Sequence, residues 1–235
     1  MAPPTDDPPA EEPSTEEPFA GITFDINTAR RIVELSRGLT GHFKGVVSAG
    51  PFAGMKYGDG VADGCLVPKL LGCYEMELHH AIADALSRSP DLILNIGCAE
   101  GYYAVGLARL LPDARIIAYD INEYARERCA ETARINGVED RITIKSEIKP
   151  EDFAAFEGRR VLVICDIEGG EYELLNPTQT TALGAFDLIV ETHPLGEKPT
   201  ITFAARFAKT HEIQIIQPAA RDPSAYPVLS ELSHT

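Results

Sequence analysis

The stretch DLILNIGCAEGYYAVGLARLL, residues 91–111, joins an apolar segment, a turn with two glycines and a helical segment. Residues 91–96 predict a buried strand, because Leu92, Ile93, Leu94 and Ile96 form an apolar run that is typical of a strand covered by helices on both faces. Gly97 and Gly101 let the backbone turn tightly and approach a ligand. The helix predicted over residues 102–111 directs its positive N-terminal end toward this turn. The stretch therefore predicts a small-molecule site at a strand end, although such glycines can also serve packing alone.

The spacing within the turn separates two classes of ligand. A dinucleotide site of the G-x-G-x-x-G type needs a middle glycine beside the pyrophosphate. In this sequence that position is Ala99, no third glycine follows, and Glu100 places a carboxylate where phosphates would lie. The turn therefore favours S-adenosylmethionine over a dinucleotide.

Strand and helix patterns alternate after this stretch, at 114–120, 141–147, 159–166, 186–193 and 212–217 for strands and at 123–136 and 201–209 for helices. Asn122 is the predicted N-cap of the helix at 123–136, and Gly137 its C-terminal stop. Strands separated by helices imply right-handed βαβ units. The sequence predicts an α/β fold with a doubly wound, mostly parallel sheet.

The chain divides into four predicted parts. Residues 1–18 are acidic and proline-rich, so we expect a disordered tail. Residues 19–90 contain helical patterns at 25–38 and 74–88 and a glycine-rich segment, 44–72, that suits a lid or loop over a site. Residues 91–217 form the predicted cofactor-binding core, and residues 218–235 a C-terminal extension.

Composition excludes several classes of partner. The net charge of −15 repels nucleic acids and anionic membranes. No apolar run is long enough to span a membrane, and residues 1–18 lack the basic and apolar regions of a secretory signal, so we expect none. The five cysteines are an odd number without C-x-x-C spacing, which suits reduced thiols and a cytoplasmic location.

Polar residues follow the predicted strands and would share one rim of the sheet, where ligands of such folds bind. Asp120 can accept hydrogen bonds from both ribose hydroxyls of an adenosine, and Glu147 one from the adenine amino group. The alternatives are a helix cap for Asp120 and an exposed loop charge for Glu147. Asp166, Glu191 and His193 follow the fourth and fifth strands.

Four segments together resemble the class I S-adenosylmethionine-dependent methyltransferases, and within them the FkbM-type O-methyltransferases: KLLGCYEMEL (69–78), NIGCAEGYYA (95–104), DIEGGEYELL (166–175) and FDLIVETH (186–193). The most specific is DIEGGE, which is similar to the family's D-[IV]-E-G-x-E signature. The chain departs from the family at Asn95, where Asp is usual, and in the turn, where G-A-N-x-G is usual.

The resemblance implies transfer of a methyl group from S-adenosylmethionine to a hydroxyl oxygen of a small molecule or glycan. It places the cofactor against Tyr74, Glu75, Asn95, Gly97, Cys98, Glu100, Gly101, Tyr102, Asp120, Ile121, Asn122, Glu147 and Asp166. The family usually closes its sheet with a final antiparallel strand, which is missing from residues 218–235, where three prolines disfavour a central strand. We therefore expect an open sheet edge or a strand from a partner, and a homo-oligomer is one such arrangement.

The rim also suggests catalytic chemistry at Asp166 and His193. Adjacent parallel strands lie ~4.8 Å apart, so Asp166 and Glu191, with His193 or Glu168, can converge on a divalent metal such as Mg²⁺ or Mn²⁺. Without a metal, His193 is the predicted general base. In a purely structural alternative, Asp166 caps the following turn, Glu168 and Glu171 are exposed charges and His193 shapes a loop. Three other functions stay open: a noncatalytic adenosine-ligand-binding or scaffold subunit, a nicotinamide-dependent oxidoreductase and an aminopropyltransferase.

Overall fold

The sheet of this computed structural model, which describes residues 26–58, 66–193 and 200–232, contains five strands that are all parallel. The strands are β1 (Leu92–Ile96), β2 (Arg115–Tyr119), β3 (Ile142–Lys145), β4 (Val161–Cys165) and β5 (Asp187–Val190). Their order is β3-β2-β1-β4-β5, so the direction of winding reverses between β1 and β4. The predicted doubly wound α/β fold is confirmed, and its topological switch point lies at the end of β1.

Eight α-helices are described: α1 (Ile26–Phe43), α2 (Leu66–Leu71), α3 (His79–Ser87), α4 (Tyr102–Leu110), α5 (Glu123–Ile135), α6 (Glu171–Leu174), α7 (Thr200–Ala205) and α8 (Pro227–Leu232). Short 3₁₀ helices lie at Met76–Leu78, Glu139–Arg141, Pro150–Phe156, Thr181–Ala185 and Pro223–Ala225. The N-cap of α5 is Asn122, whose side chain accepts a hydrogen bond of 3.0 Å from the backbone N–H of Tyr124, as predicted.

Two apolar layers cover the two faces of the sheet. On one face Ile93 belongs to a buried cluster with Leu39, Phe52, Leu70 and Leu107. On the other face the cluster contains Leu92, Leu94, Ile96, Phe153, Val163, Leu183 and Phe203. Every position of β1 and β4 is buried, which explains why their sequences are apolar apart from Asn95.

The sixth predicted strand, residues 212–217, is wrong: residues 211–222 contain no helix or strand. The alternation EIQIIQ suits a strand, but a strand also needs a backbone partner. A cleft of about 410 Å³ is lined both by β5 residues and by residues 211–218. The cleft separates this segment from β5, so the two do not pair as strands. In the described part of residues 218–235 the chain forms a 3₁₀ turn and α8 and no antiparallel strand, as predicted. The open edge was expected at the sixth strand, but because that strand is absent among the described residues, the outer strand on this side is β5.

Three predicted helix boundaries need correction. The helix of 25–38 continues through Gly38 to Phe43, because Leu39 is fully buried and this burial outweighs the ~1 kcal/mol cost of a helical glycine. The helix of 74–88 begins later, since Glu75 has a left-handed φ of 44°. The helix of 201–209 gives way to a turn after Ala205.

The N-terminal segments are described only in part. The predicted disordered tail, residues 1–18, lies outside the described residues, as do residues 59–65 of the predicted lid. In the described parts of 44–72, Phe52 and Met55 are buried in the core, so these parts are packed. Four cysteines are free and buried: Cys73, Cys98, Cys129 and Cys165. None of the described helices is both long and apolar enough to cross a membrane.

Candidate functional site

The glycine turn after β1 is required by the packing of the fold itself. Gly97 has a φ of 80°, and a Cβ added there would lie 1.7 Å from the carbonyl oxygen of Asp166. Gly101 has a φ of 92°, and its Cβ would lie 2.9 Å from Sγ of Cys129. Both glycines therefore have a structural reason that does not depend on a ligand.

Asp120 connects the end of β2 to this turn. Its Oδ2 accepts a hydrogen bond of 2.9 Å from the backbone N–H of Ala99, and its Oδ1 accepts one of 2.9 Å from that of Asn122. Each carboxylate oxygen has a second lone pair, so the group can still accept from a ligand. Beside it, the side chain of Ile121 is 86% exposed. Glu147, after β3, is exposed and lies 3.8 Å from the Lys149 ammonium.

Glu100 does not present its charge at the surface of the turn. Its side chain is fully buried, and its Oε1 lies 2.6 Å from Nζ of Lys69. The sequence-based argument that Glu100 would repel phosphates therefore does not hold, because the charge is paired inside the protein. The side chains of Asn95, Cys98 and Tyr102 are also buried.

The segment before α3 reaches the same rim of the sheet. The hydroxyl of Tyr103 donates a hydrogen bond to the carboxylate of Glu75. The rings of Tyr74 and Tyr102 meet edge to face with their centroids 5.1 Å apart. These contacts hold Tyr74 and Glu75 next to α4, and thus close to the turn that begins this helix.

Acidic residues surround His193 at the ends of β4 and β5. Its Nε2 lies 3.5 Å from Oε2 of Glu168 and 3.8 Å from both Oδ1 of Asp166 and Oε1 of Glu191. Its Nδ1 lies 3.2 Å from Oε1 of Glu171. Three carboxylates therefore lie around Nε2 of His193, and the four residues predicted as metal ligands are close together.

Glu171 is a site residue that the sequence did not identify: it was not among the predicted ligands, and the purely structural alternative made it an exposed charge. Its side chain is fully buried at the start of α6. Its Oε1 also accepts hydrogen bonds from the backbone N–H groups of Ile167, at 2.9 Å, and Gly169, at 3.2 Å. The carboxylate thus shapes the DIEGGE loop and fixes one nitrogen of His193. The signal that could have identified it is the final Glu of the DIEGGE motif itself.

The cluster carries strongly perturbed carboxyl groups. Burial raises the pKa of Asp166 to about 6, and nearby Glu75 and Glu168 contribute to the increase. Burial and the proximity of Asp166 and Glu75 raise the pKa of Glu191 to about 7. Burial alone would lower the pKa of His193, but the hydrogen bond to Glu171 and the carboxylates of Asp166 and Glu168 raise it above its usual value.

Two oxygens of the cluster lack a hydrogen-bond partner among the described residues: Oδ1 of Asp166 and Oε2 of Glu171. Single ligand atoms of Asp166, Glu171 and His193 also lie within 4.8 Å of one another. Oxygen and imidazole donors in this arrangement suit Mg²⁺ or Mn²⁺. A cation would offset the cost of burying these carboxylates and the repulsion between them, the two causes of their raised pKa values.

Comparison with known proteins gives similarities of fold at low sequence identity. No protein-family profile and no curated protein sequence matches the chain. The O-methyltransferase TomG of Streptomyces achromogenes, involved in tomaymycin synthesis and solved with S-adenosylmethionine, is 18% identical, with 75% of this chain and 76% of that chain covered and a TM-score of 0.44. A Klebsiella pneumoniae protein assigned as an O-methyltransferase is 16% identical, with 80% and 78% covered and a TM-score of 0.41.

A third similar structure has a different described activity. The precorrin 8w decarboxylase of Methanobacterium thermoautotrophicum is 20% identical, with 53% of this chain and 66% of that chain covered and a TM-score of 0.38. All three TM-scores lie below 0.5, which is too low to transfer a function to this chain.

Proposed function

We propose that this chain binds S-adenosylmethionine and transfers its methyl group to a hydroxyl oxygen of a small molecule or glycan. The observation that carries the proposal is the acidic rim beside the glycine turn, where Asp166, Glu168 and Glu191 lie around His193 and Glu75 lies close to Asp166 and Glu191. S-Adenosylmethionine carries a sulfonium and an ammonium group, whereas a nicotinamide dinucleotide carries an anionic pyrophosphate. Charge complementarity therefore favours the sulfonium cofactor.

The adenosine half of the cofactor would lie over the end of β2. Asp120 would accept from the ribose hydroxyls, because each of its oxygens keeps a free lone pair. The exposed side chain of Ile121 offers an apolar surface for the adenine ring. Asn122 caps the next helix and so fixes the position of both neighbours. The methionine half would lie between Gly97 and the segment of Tyr74 and Glu75.

Methyl transfer requires alignment of the acceptor oxygen with the sulfonium and removal of the acceptor proton. Asp166 and His193 are the proposed catalytic groups. Glu171 binds Nδ1 of His193, which leaves Nε2 directed toward the acidic rim. Glu191, with a pKa of about 7, can exchange a proton with either group near neutral pH.

A divalent ion is part of the same proposal. Asp166, Glu168, Glu191 and His193 would hold Mg²⁺ or Mn²⁺ through three carboxylates and Nε2. Such an ion acidifies and orients a bound hydroxyl group. The contact between Glu171 and Nδ1 matches the carboxylate–imidazole–metal arrangement in which an outer carboxylate fixes the ligand tautomer.

A noncatalytic adenosine-binding or scaffold subunit is the second candidate, and one observation favours it. Gly97 and Gly101 are both explained by contacts within the fold, so the turn would be needed even without chemistry at the rim. This candidate predicts adenosine-ligand binding that survives the loss of His193.

Calorimetric titration with S-adenosylmethionine, S-adenosylhomocysteine and NAD tests the proposal directly. We expect both sulfur compounds to bind and NAD not to bind. Asp120→Asn should weaken binding at least tenfold, whereas Asp113→Asn, at the opposite end of β2, should have no effect. Tighter binding of NAD than of either sulfur compound would reject the proposal.

Radiolabelled methyl transfer to a panel of hydroxyl acceptors tests the chemistry. If the ion is catalytic, EDTA should abolish turnover and Mn²⁺ should restore it. If turnover is indifferent to EDTA and lost in His193→Ala, the imidazole is the base and the ion is rejected. Binding without turnover on any acceptor, unchanged in His193→Ala, would support the noncatalytic candidate.

A further inference from the structure

A fully buried ion pair joins α2 to the glycine turn. Nζ of Lys69 lies 2.6 Å from Oε1 of Glu100, and the two residues are 1% and 0% exposed. Burial of two charges carries a large desolvation penalty, and apolar residues of similar volume are often as stable or more stable. General stability is therefore a poor explanation for this pair.

The pair lies between the two segments that the proposed function assigns to the methionine half of the cofactor. Lys69 precedes Tyr74 and Glu75 on one side, and Glu100 belongs to the glycine turn on the other. Nζ of Lys69 also lies 4.7 Å from the ring centroid of Tyr74 and 5.8 Å from that of Tyr102. The ammonium group thus contacts both segments at once.

Both segments have unfavourable backbone conformations. Glu75 has a φ of 44° and Ala99 a φ of 46°, and neither is a glycine. Such residues persist only where surrounding contacts fix them, and they concentrate at functional sites. A short charge-assisted hydrogen bond supplies direction as well as attraction, which an apolar contact does not.

We propose that Lys69 and Glu100 form a positioning pair, which fixes the turn of residues 97–101 against the segment of Tyr74 and Glu75 so that both face the cofactor. The proposal rests on the proposed binding of S-adenosylmethionine. Neither residue touches the cofactor in this arrangement, so both act through the backbone that they hold.

The decisive variant removes both charges and keeps the volume: Lys69→Met combined with Glu100→Met. Its melting temperature should stay within a few degrees of the parent, because the two charges of the buried pair are removed together. Its dissociation constant for S-adenosylmethionine should rise at least tenfold, and amide hydrogen exchange should accelerate in residues 97–101. The matched control is Asp91→Asn, which removes the partially exposed pair with Arg159 at the other end of β1 and should change neither measurement.

The outcomes separate the two proposals. A folded double variant with parental affinity and parental exchange would show a purely structural pair and reject the positioning role. If the parent protein does not bind S-adenosylmethionine, the proposed function fails, and the positioning role is decided by hydrogen exchange alone. If the Met/Met variant does not fold, Lys69→Gln with Glu100→Gln replaces it. Failure of both variants to fold would make the pair a requirement for folding and reject the proposal.

Discussion

The centre of the sheet and its β5 side differ sharply in packing. β1 and β4 are buried at all five positions, whereas β5 is half-buried at all four. β1 has a hydrogen-bonded strand on each side, but β5 pairs only with β4 among the described residues. The cleft of about 410 Å³ lies along β5 and reaches Glu75 and Glu191.

This difference divides the candidate site into two parts. The glycine turn and Asp120 belong to the tightly packed centre, where backbone positions are determined by many contacts. His193 and Glu191 follow the less tightly packed β5, and Glu191 lines the cleft. We infer that the centre supplies rigid cofactor recognition and that the β5 side supplies chemistry with more freedom to adapt to an acceptor.

The largest expected effect tests the rigidity of the centre. Gly97→Ala would place Cβ 1.7 Å from the carbonyl oxygen of Asp166, so β1 and β4 must separate locally. We expect the free energy of unfolding to fall by more than ~3 kcal/mol. Gly137→Ala is the matched control, because Gly137 also has a positive φ, 67°, but no atom lies within 4 Å of the added Cβ. In Gly137→Ala the free energy of unfolding, measured by urea denaturation, should fall only by the ~1–2 kcal/mol that a left-handed backbone conformation costs a non-glycine residue. Equal losses would show that the centre is not tightly packed at Gly97.

A second pair of variants compares the two regions directly. Leu94 in β1 is fully buried and Leu188 in β5 is partly buried, and both pack in the same apolar layer. Leu94→Ala should cost about 3–4 kcal/mol, as large-to-small changes in a rigid core do, and Leu188→Ala about 1 kcal/mol. Denaturant titration measures both. A cost at Leu188 as large as that at Leu94 would mean that the cleft is filled in solution.

The same contrast explains what the sequence could predict. The strands of the centre were predictable because a strand buried on both faces is mostly apolar, as residues 92–96 are apart from Asn95. Asn122 was predictable because its role depends on neighbouring backbone atoms only. The rim positions of Asp120, Asp166 and Glu191 followed from the parallel topology.

The remaining features depend on contacts between distant residues. Burial of Glu100 requires Lys69, which comes from α2 and is far away in the sequence. Burial of Glu171 depends on His193 and on the tight DIEGGE loop. The pattern of residues 212–217 suits a strand, yet its pairing is decided by what lies next to β5. Local patterns do not contain this information.

A smaller effect concerns pH and the acidic cluster. Asp166 and Glu191 have folded-state pKa values of about 6 and about 7, above their usual values, and the pKa of His193 is also raised. All three groups bind protons more readily in the folded chain than in the unfolded chain. These groups therefore contribute to the free energy of unfolding at low pH, and this contribution is lost as the pH rises from ~4 through 7.

Glu191→Gln should reduce this pH dependence, measured as melting temperature between pH 5 and pH 8 without added metal. Glu147→Gln is the control, because it removes the same charge from an exposed position on the same rim. The two variants lose the same charge from different environments. If the melting temperature depends less on pH in both of them, the pH dependence comes from net charge and not from the acidic cluster. Addition of Mn²⁺ at pH 8 should raise the melting temperature of the parent protein and have less effect on Glu191→Gln.

The smallest expected effect concerns the segment across the cleft from β5. Ile215 is 45% exposed and lies in a stretch without regular structure, so Ile215→Thr should change the free energy of unfolding by less than ~0.5 kcal/mol. The matched change in the centre is Ile93→Thr, at a fully buried position of β1, where a loss of several kcal/mol is expected because an apolar group is replaced by a hydroxyl. Hydrogen exchange should likewise be fast in residues 212–217 and slow in β1, since backbone amides without partners exchange freely. If Ile215→Thr instead costs ~2 kcal/mol or more and residues 212–217 are protected from exchange, the segment pairs as a sixth strand in solution, and β5 is an inner strand of the sheet.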